Sequence, residues 1–448
     1  MIRIVACRLR LQDLHLRLPF RYGIATVTDL THAFVETDVE LKGKLITGIS
    51  AEHLSPKWLY KRPDTSPEAD NAELIALIET VLEWATDLCA ESAFGLWQAL
   101  YEKQAAYAKE TGLPTLWTHF PVTLVERAVI NALGNATQQP FQALVKSNAF
   151  GIELGAIHTE LAGTQPTDWL PEAPRKQIIL RHTIGMADPL AHPTPDNGRA
   201  NVADPLPLTL EDNIAAYGLK HFKLKLGGTV DADIARTTEV LAVCAAHAAS
   251  DWAFTLDANE SYTDFATVRA FWNGLPDTHK TRCLFIEQPL HRDQALTDAA
   301  GVGLAAWDSH PPIIIDESDS ALGDFLRALA LGYAGTSHKG CKGVFKGVAN
   351  ACLAKKRGAL LSGEDLTCVG PVCLEQDLAV MAALGIESVE RNGHHYFAGL
   401  SMFDTATQDA ALASHPELYH RSPRGWPTLT ITQGKIQFTE SSDNANHS

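Results

Sequence analysis

The 448-residue chain is short of positive charge: 37 Lys and Arg stand against 53 Asp and Glu, for a formal net charge of -16. No basic run stands out, which excludes a broad electrostatic footprint for nucleic acid. A locally positive pocket for a small anion stays open. Long apolar runs are missing too: none approaches the ~20 residues of a membrane-spanning helix. The alternating N-terminus MIRIVACRLRLQDL lacks the apolar centre of a signal peptide. The expectation is a cytoplasmic protein with neither membrane nor nucleic acid as partner. Cysteine is sparse, eight in all, and Cys368 and Cys373 in TCVGPVC are the only close pair. No second pair accompanies them, so a thiolate metal centre is not expected. A G-x-G-x-x-G turn is also lacking, which argues against the doubly wound open sheet that it usually marks.

Compact cores tend to split beyond ~250–300 residues, so a large unit with a smaller partner is the natural partition. IRIVACRLRL, LHLRLPF and HAFVETDVELKG alternate as antiparallel strands do, and the stretches 72–89 and 120–136 then carry helical periodicity. These predict an α+β capping domain over residues 1–165. Proline-marked GTQPTDWLPEAPRKQ, residues 163–177, reads as the passage into a second unit. Eight apolar runs follow, from QIILRHTIG to ESVERNGHH, many separated by helical stretches such as DADIARTTEVLAVCAAHA. Near-continuous apolar strands suit a sheet covered on both faces, and eight βα units predict a (β/α)8 TIM-type barrel over 172–400. Residues 401–448, with a strand expected over 428–440 and a frayed SSDNANHS end, are expected to pack back toward the capping domain.

Polar residues cluster where these runs end. HFKLKLGG places Lys223 and Lys225 on one strand face. FTLDANE ends at Asp257, LFIEQP delivers Glu287, IIIDES delivers Asp316 beside Glu317, and GTSHKG supplies Lys339. From Lys225 onward the separations are 32, 30, 29 and 23 residues, close to one βα unit each. In a barrel these ends meet at the C-terminal mouth. Three carboxylates at one mouth repel unless protonated or bound to a cation, and their hard oxygens favour Mg2+. Asp257, Glu287 and Asp316 are the expected ligands, with Glu317 the alternative to Asp316. Lys225 and Lys339 flank them as candidate bases whose neutral form nearby cations favour. Lys223 is expected to lower its neighbour's pKa and to hold an anionic substrate oxygen, and Lys342 is the rival to Lys339. Asn259 is a candidate substrate contact, and Glu260 a candidate helix cap.

These motifs resemble the enolase superfamily, in its mandelate racemase and muconate lactonizing enzyme branch. FKLKLGG resembles the K-x-K strand, LDAN, IEQP and DES resemble the three metal-ligand strands, and Lys339 resembles the opposing base. RLPFRYGIAT resembles the capping loop that contributes to substrate choice, with Arg21 and Tyr22 as candidate contacts. VERAVINALGNA carries Asn131 where aspartate is common. SGED offers Glu364 and Asp365 where the racemase type has a histidine, and His394 and His395 near the last strand are further candidate contacts or acids. The resemblance implies a Mg2+-dependent enzyme, associating as a homo-oligomer, that takes the α-proton from a small carboxylate substrate to give an enediolate. Racemisation or epimerisation is the first outcome; dehydration of an acid sugar or cycloisomerisation is the alternative. A catalytically inactive metal-binding protein is the non-enzymatic reading. A phosphate-handling barrel fits poorly, because SGEDLTCVG is too acidic for an anion nest.

Overall fold

The computed structural model describes residues 1–192 and 204–438. Its N-terminal part is an antiparallel sheet of Ile2–Tyr22, Ala25–Leu41 and Lys44–His53, edged by Cys89–Ala90. The first two expected strands are one long strand, Ile2–Tyr22. Gln12 and Asp13 between them keep register with His32 and Thr31, and the irregularities fall elsewhere, between Ile4 and Ala6 and between His15 and Phe20. Helices Pro67–Ala85, Ala93–Thr111 and Thr115–Thr137 accompany this sheet. The first begins five residues ahead of the periodic stretch, because the Ser66 side chain accepts from Ala69 N with Pro67 at the opening position. The Thr115–Thr137 helix lies so close to the third strand that a Cβ on Gly48 would sit 2.0 Å from Ala128 O. Only glycine allows that approach.

The second part is a closed eight-stranded parallel barrel. Its strands are Gln177–Ile184, His221–Lys225, Ala253–Asp257, Cys283–Glu287, Ile313–Ile315, Gly335–His338, Leu360–Gly363 and Ser388–Arg391. The eighth pairs in parallel with the first, through Val389 opposite Leu180, and closes the ring. Burial follows the period of two. Phe222 and Leu224 belong to the apolar core, while Lys223 between them reaches other strands' carboxylates. Helices such as Val230–His247 and Val344–Arg357 cover the outside. Within the latter, Gly347 leaves room for the His338 ring, which a Cβ would meet at 2.2 Å. His338 is accordingly a packed residue, with its pKa pushed down to about 3 by burial and by Lys342.

The C-terminal segment touches both parts. Lys435–Gln437 pairs antiparallel with the first barrel strand. Met402 O accepts from Gln12 Nε2 at 2.9 Å, and the Phe403 ring lies edge-on to those of His32 and Phe34. The SSDNANHS end and the last two residues of the expected 428–440 strand lie outside the described residues. Among the described residues, no helix is long and apolar enough to cross a membrane.

Candidate active site

Barrel register alone aligns the central charges. Lys225 lies opposite Asp257, and Asp257 opposite Glu287, in one row across the second, third and fourth strands. Asp316 follows the fifth strand, Lys339 the sixth and Glu364 the seventh; Glu390 sits on the eighth. All of these side chains are buried or nearly so.

The Lys223 ammonium is fully enclosed and sits among four carboxylates. It lies 3.0 Å from Asp257 Oδ2, 2.8 Å from Glu287 Oε2, and 2.7 Å from both Glu364 Oε2 and Glu390 Oε2. Lys225 contacts Asp257 Oδ2 at 2.5 Å. Lys339 contacts Asp316 Oδ2 at 2.6 Å and Glu364 Oε2 at 3.0 Å. Lys342 donates to the backbone oxygens of Asp316 and Ser337, each at 2.9 Å, and the Ser337 hydroxyl bonds Asp316 Oδ1. Lys342 thus braces the carboxylate that Lys339 engages. Arg181, from the first strand, donates to Glu364 Oε1 at 3.1 Å, and Thr183 donates to Glu390 Oε1 at 2.6 Å.

Such mutual solvation shifts the pKa values of these groups. Burial alone would discharge Lys223, Lys225 and Lys339, but the facing carboxylates outweigh it and hold all three ammonium groups above the ordinary amine value. Lys223 does push Lys225 down, but Asp257 pushes it up harder. Against the raising effect of burial, Lys339 and Lys342 hold Asp316 below the usual carboxylate range, and Lys223 and Lys339 do the same for Glu364. Glu287 moves the other way, raised by burial and by its neighbours Asp257 and Glu364. Glu317 rises to about 8 through burial and the adjacent Asp316; its Oε1 accepts from Asn259 Nδ2 at 3.0 Å.

Ligand atoms of Glu287, Asp316 and Glu364 lie within 4.8 Å of one another. An all-oxygen set of buried carboxylates is compatible with a hard divalent cation such as Mg2+. Of the three ligands expected from sequence, Glu287 and Asp316 are in this group. Asp257 is one strand further round, engaged by both lysines of the K-x-K pair and by Asn259 N at 2.9 Å. The third member of the group is Glu364, which follows the seventh strand. The GED motif at a strand end is the signal for it.

A cleft of ≈ 360 Å³ opens over these groups, lined by Lys225, Lys339, Glu390 and Asn259 and walled by Phe20, Tyr22, Trp58 and Leu366. The cap builds that wall. Tyr22 and Gly23 are at the tip of the first hairpin, and a Cβ on Gly23 would meet Asn259 Cβ at 3.5 Å. Arg292 donates to Trp58 O and Leu59 O at 2.8 Å while ion-paired to Glu260, which also accepts from Arg292 N at 2.8 Å; Glu260 thus anchors the Trp58 segment and the start of the short helix Arg292–Ala295, while Asp264 caps the helix that follows its own strand. Trp58 then faces Lys339, whose Nζ is 4.9 Å from the ring centroid. Sequence reasoning missed Trp58 and Phe20, since nothing local distinguishes them from core residues. Arg21 is exposed and pairs with Thr26 in the sheet, and its backbone oxygen accepts from Met186 N. His394 pairs with His182 at 3.0 Å, and buried His395 lies 3.6 Å from Asp188. Neither histidine lines the cleft.

No curated protein matches the chain. Among solved structures, it resembles the dipeptide epimerase from Enterococcus faecalis V583 complexed with Mg and L-Leu-L-Tyr, with TM-score 0.65, 14% identity and 98% of each chain covered. It also resembles the N-succinyl Arg/Lys racemase from Bacillus cereus ATCC 14579, with TM-score 0.60, 17% identity, and 88% of this chain and 89% of that one covered. For the muconate lactonizing enzyme from Pseudomonas fluorescens complexed with muconolactone, the TM-score is 0.62 at 16% identity, over 98% of this chain and 94% of that one. At such identities the likeness is one of fold. Residues 209–415, from ahead of the second barrel strand to beyond the eighth, match the profile of the family described as enolase C-terminal domain-like.

Proposed function

We propose that the whole chain is a member of the enolase superfamily, in its mandelate racemase and muconate lactonizing enzyme branch. On this reading it is a cytoplasmic enzyme that removes the α-proton of a small carboxylate substrate and returns it to give a racemised or epimerised acid. The observation that carries this reading is the pair Lys225 and Lys339. They line one cleft from opposite sides of the acidic group, each tied to a different carboxylate, Asp257 or Asp316.

Glu287, Asp316 and Glu364, with Asp257 alongside, are the residues that would hold Mg2+. When bound, the cation supplies Lewis acidity toward the substrate carboxylate and shares the carboxylates that now raise the lysine pKa values. The rest is the work of this chain's side chains. With that hold relaxed, Lys225 Nζ, as the neutral amine, takes the proton from one face of the α-carbon, and Lys339 Nζ, as the ammonium, delivers one from the other. Lys223 stays charged beneath them and stabilises the negative oxygens of the enediolate. Tyr22, Trp58 and Phe20 exclude water and orient the substituent, while Asn259 is positioned to hydrogen-bond it.

The test is α-proton exchange in deuterated water, with Mg2+ present, across acid sugars, hydroxy acids and N-acyl amino acids. Exchange without elimination supports racemisation or epimerisation, and a dehydrated or cyclised product selects the alternative outcome. Cation binding with no exchange of any acid would reduce the protein to a metal-binding scaffold.

A further inference from the structure

The close cysteine pair has no part in that chemistry, and the fold gives it a third partner. Cys368 follows the seventh barrel strand, and Cys373 opens the helix Cys373–Ala383. Glu52 belongs to the third strand of the cap, more than 300 residues away in sequence. Cys368 Sγ and Cys373 Sγ lie 2.7 Å apart, with Glu52 Oε1 at 2.9 Å from the first and 3.5 Å from the second. Donor atoms of the three residues fall within 4.8 Å of one another. Glu52 is 1% exposed, Cys368 3% and Cys373 0%.

We propose that Glu52, Cys368 and Cys373 bind a thiophilic divalent ion of the zinc class, at a site separate from the acidic centre of the mouth. Two thiolates and a carboxylate are a donor set that zinc favours and Mg2+ does not. Charge balance supports the assignment. The deprotonated set carries three negative charges, and the ion's two positive charges with Arg127, 3.3 Å from Glu52 Oε2, cancel them. Burial pushes both thiols up, Cys373 to about 12, so an ion binds only by displacing their protons. A cleft lined by Cys368, Gly370 and Arg391 lies beside the first of these residues. Such an ion would tie the cap sheet to the loop whose Asp365, Leu366 and Thr367 line the mouth.

Cobalt reports on this site directly, because thiolate ligation gives a charge-transfer absorption that carboxylates do not. The full chain, reduced and stripped with a chelator, is titrated with Co2+ and then challenged with Zn2+. The expected result is one Co2+ per chain with thiolate-to-cobalt absorption, displaced by Zn2+, persisting in Glu287→Gln and lost in Cys368→Ser/Cys373→Ser. Glu52→Gln weakens that binding by at least about tenfold. Folded wild-type protein that takes up Co2+ without the thiolate absorption would overturn the proposal. So would isolation of the pair as a metal-free disulfide under reducing purification. Because Glu287→Gln disables the mouth and not this site, failure here is distinguishable from failure of the proposed reaction.

Discussion

Lys339 Nζ and Asp316 Oδ2 lie 2.6 Å apart, and this ion pair joins the candidate acid–base chemistry to the candidate cation site. Neither group can change charge without altering the other. Lys225 and Asp257 repeat the relationship on the opposite side of the cleft, at 2.5 Å.

Replacing Lys225 by Met removes the proton acceptor but keeps most of the side chain's volume. Turnover should fall by about 10²–10⁴-fold or more, while Mg2+ affinity, measured by calorimetry, is retained. Activity close to wild type would take Lys225 out of the base role.

If the two lysines serve opposite faces, Lys225→Met and Lys339→Met should each lose deuterium incorporation from a different enantiomer. Proton NMR of the separate enantiomers in deuterated water reads this directly. Loss from the same enantiomer in both variants would demand another stereochemical assignment.

Calorimetric titration of Mg2+ into Glu287→Gln, Glu364→Gln and Asp257→Asn distinguishes the ligand sets. Glu287→Gln and Glu364→Gln should each weaken binding by at least about tenfold. If Asp257→Asn weakens it as much and Glu364→Gln does not, the ligands are those expected from the sequence.

Glu126, on the Thr115–Thr137 helix of the cap, accepts from Val344 N at 3.0 Å and Phe345 N at 2.7 Å and so caps the first turn of a barrel helix. Burial raises its pKa to about 7, partly countered by these N–H groups. A carboxyl raised on folding binds more protons in the native protein, so its contribution is full below its unfolded pKa of about 4.5 and declines up to about 7. At most, about 3 kcal/mol of stability is lost across that window. Thermal melts from pH 4.5 to 7.5 should show Glu126→Gln with a flatter pH dependence than the parent, and parallel curves would refute this.

Much of the mouth is legible in the amino-acid order, because a barrel strand carries its chemistry at its C-terminal end. Lys225, Asp257, Glu287, Asp316 and Lys339 each close an apolar run at nearly constant spacing, and the ring can only bring such ends together. The eight strands are readable for the same reason: burial on both faces leaves near-continuous apolar runs. The N-terminal sheet is less legible, since an unbroken 21-residue strand crosses the polar pair Gln12 and Asp13 without a local signal.

Sequence by itself determined the barrel, the order of charges around it and the lysines on either side, through periodicities that survive in one dimension. Tertiary structure alone decided how near Glu364 comes to Glu287 and Asp316, that Trp58 closes over Lys339, and that Glu52 reaches the cysteine pair. Those contacts depend on ring closure and on the cap's seat over the mouth, which bring together segments far apart along the chain. The pKa directions of the lysines were likewise set in three dimensions, where carboxylates from several strands outweigh the cost of burying each ammonium.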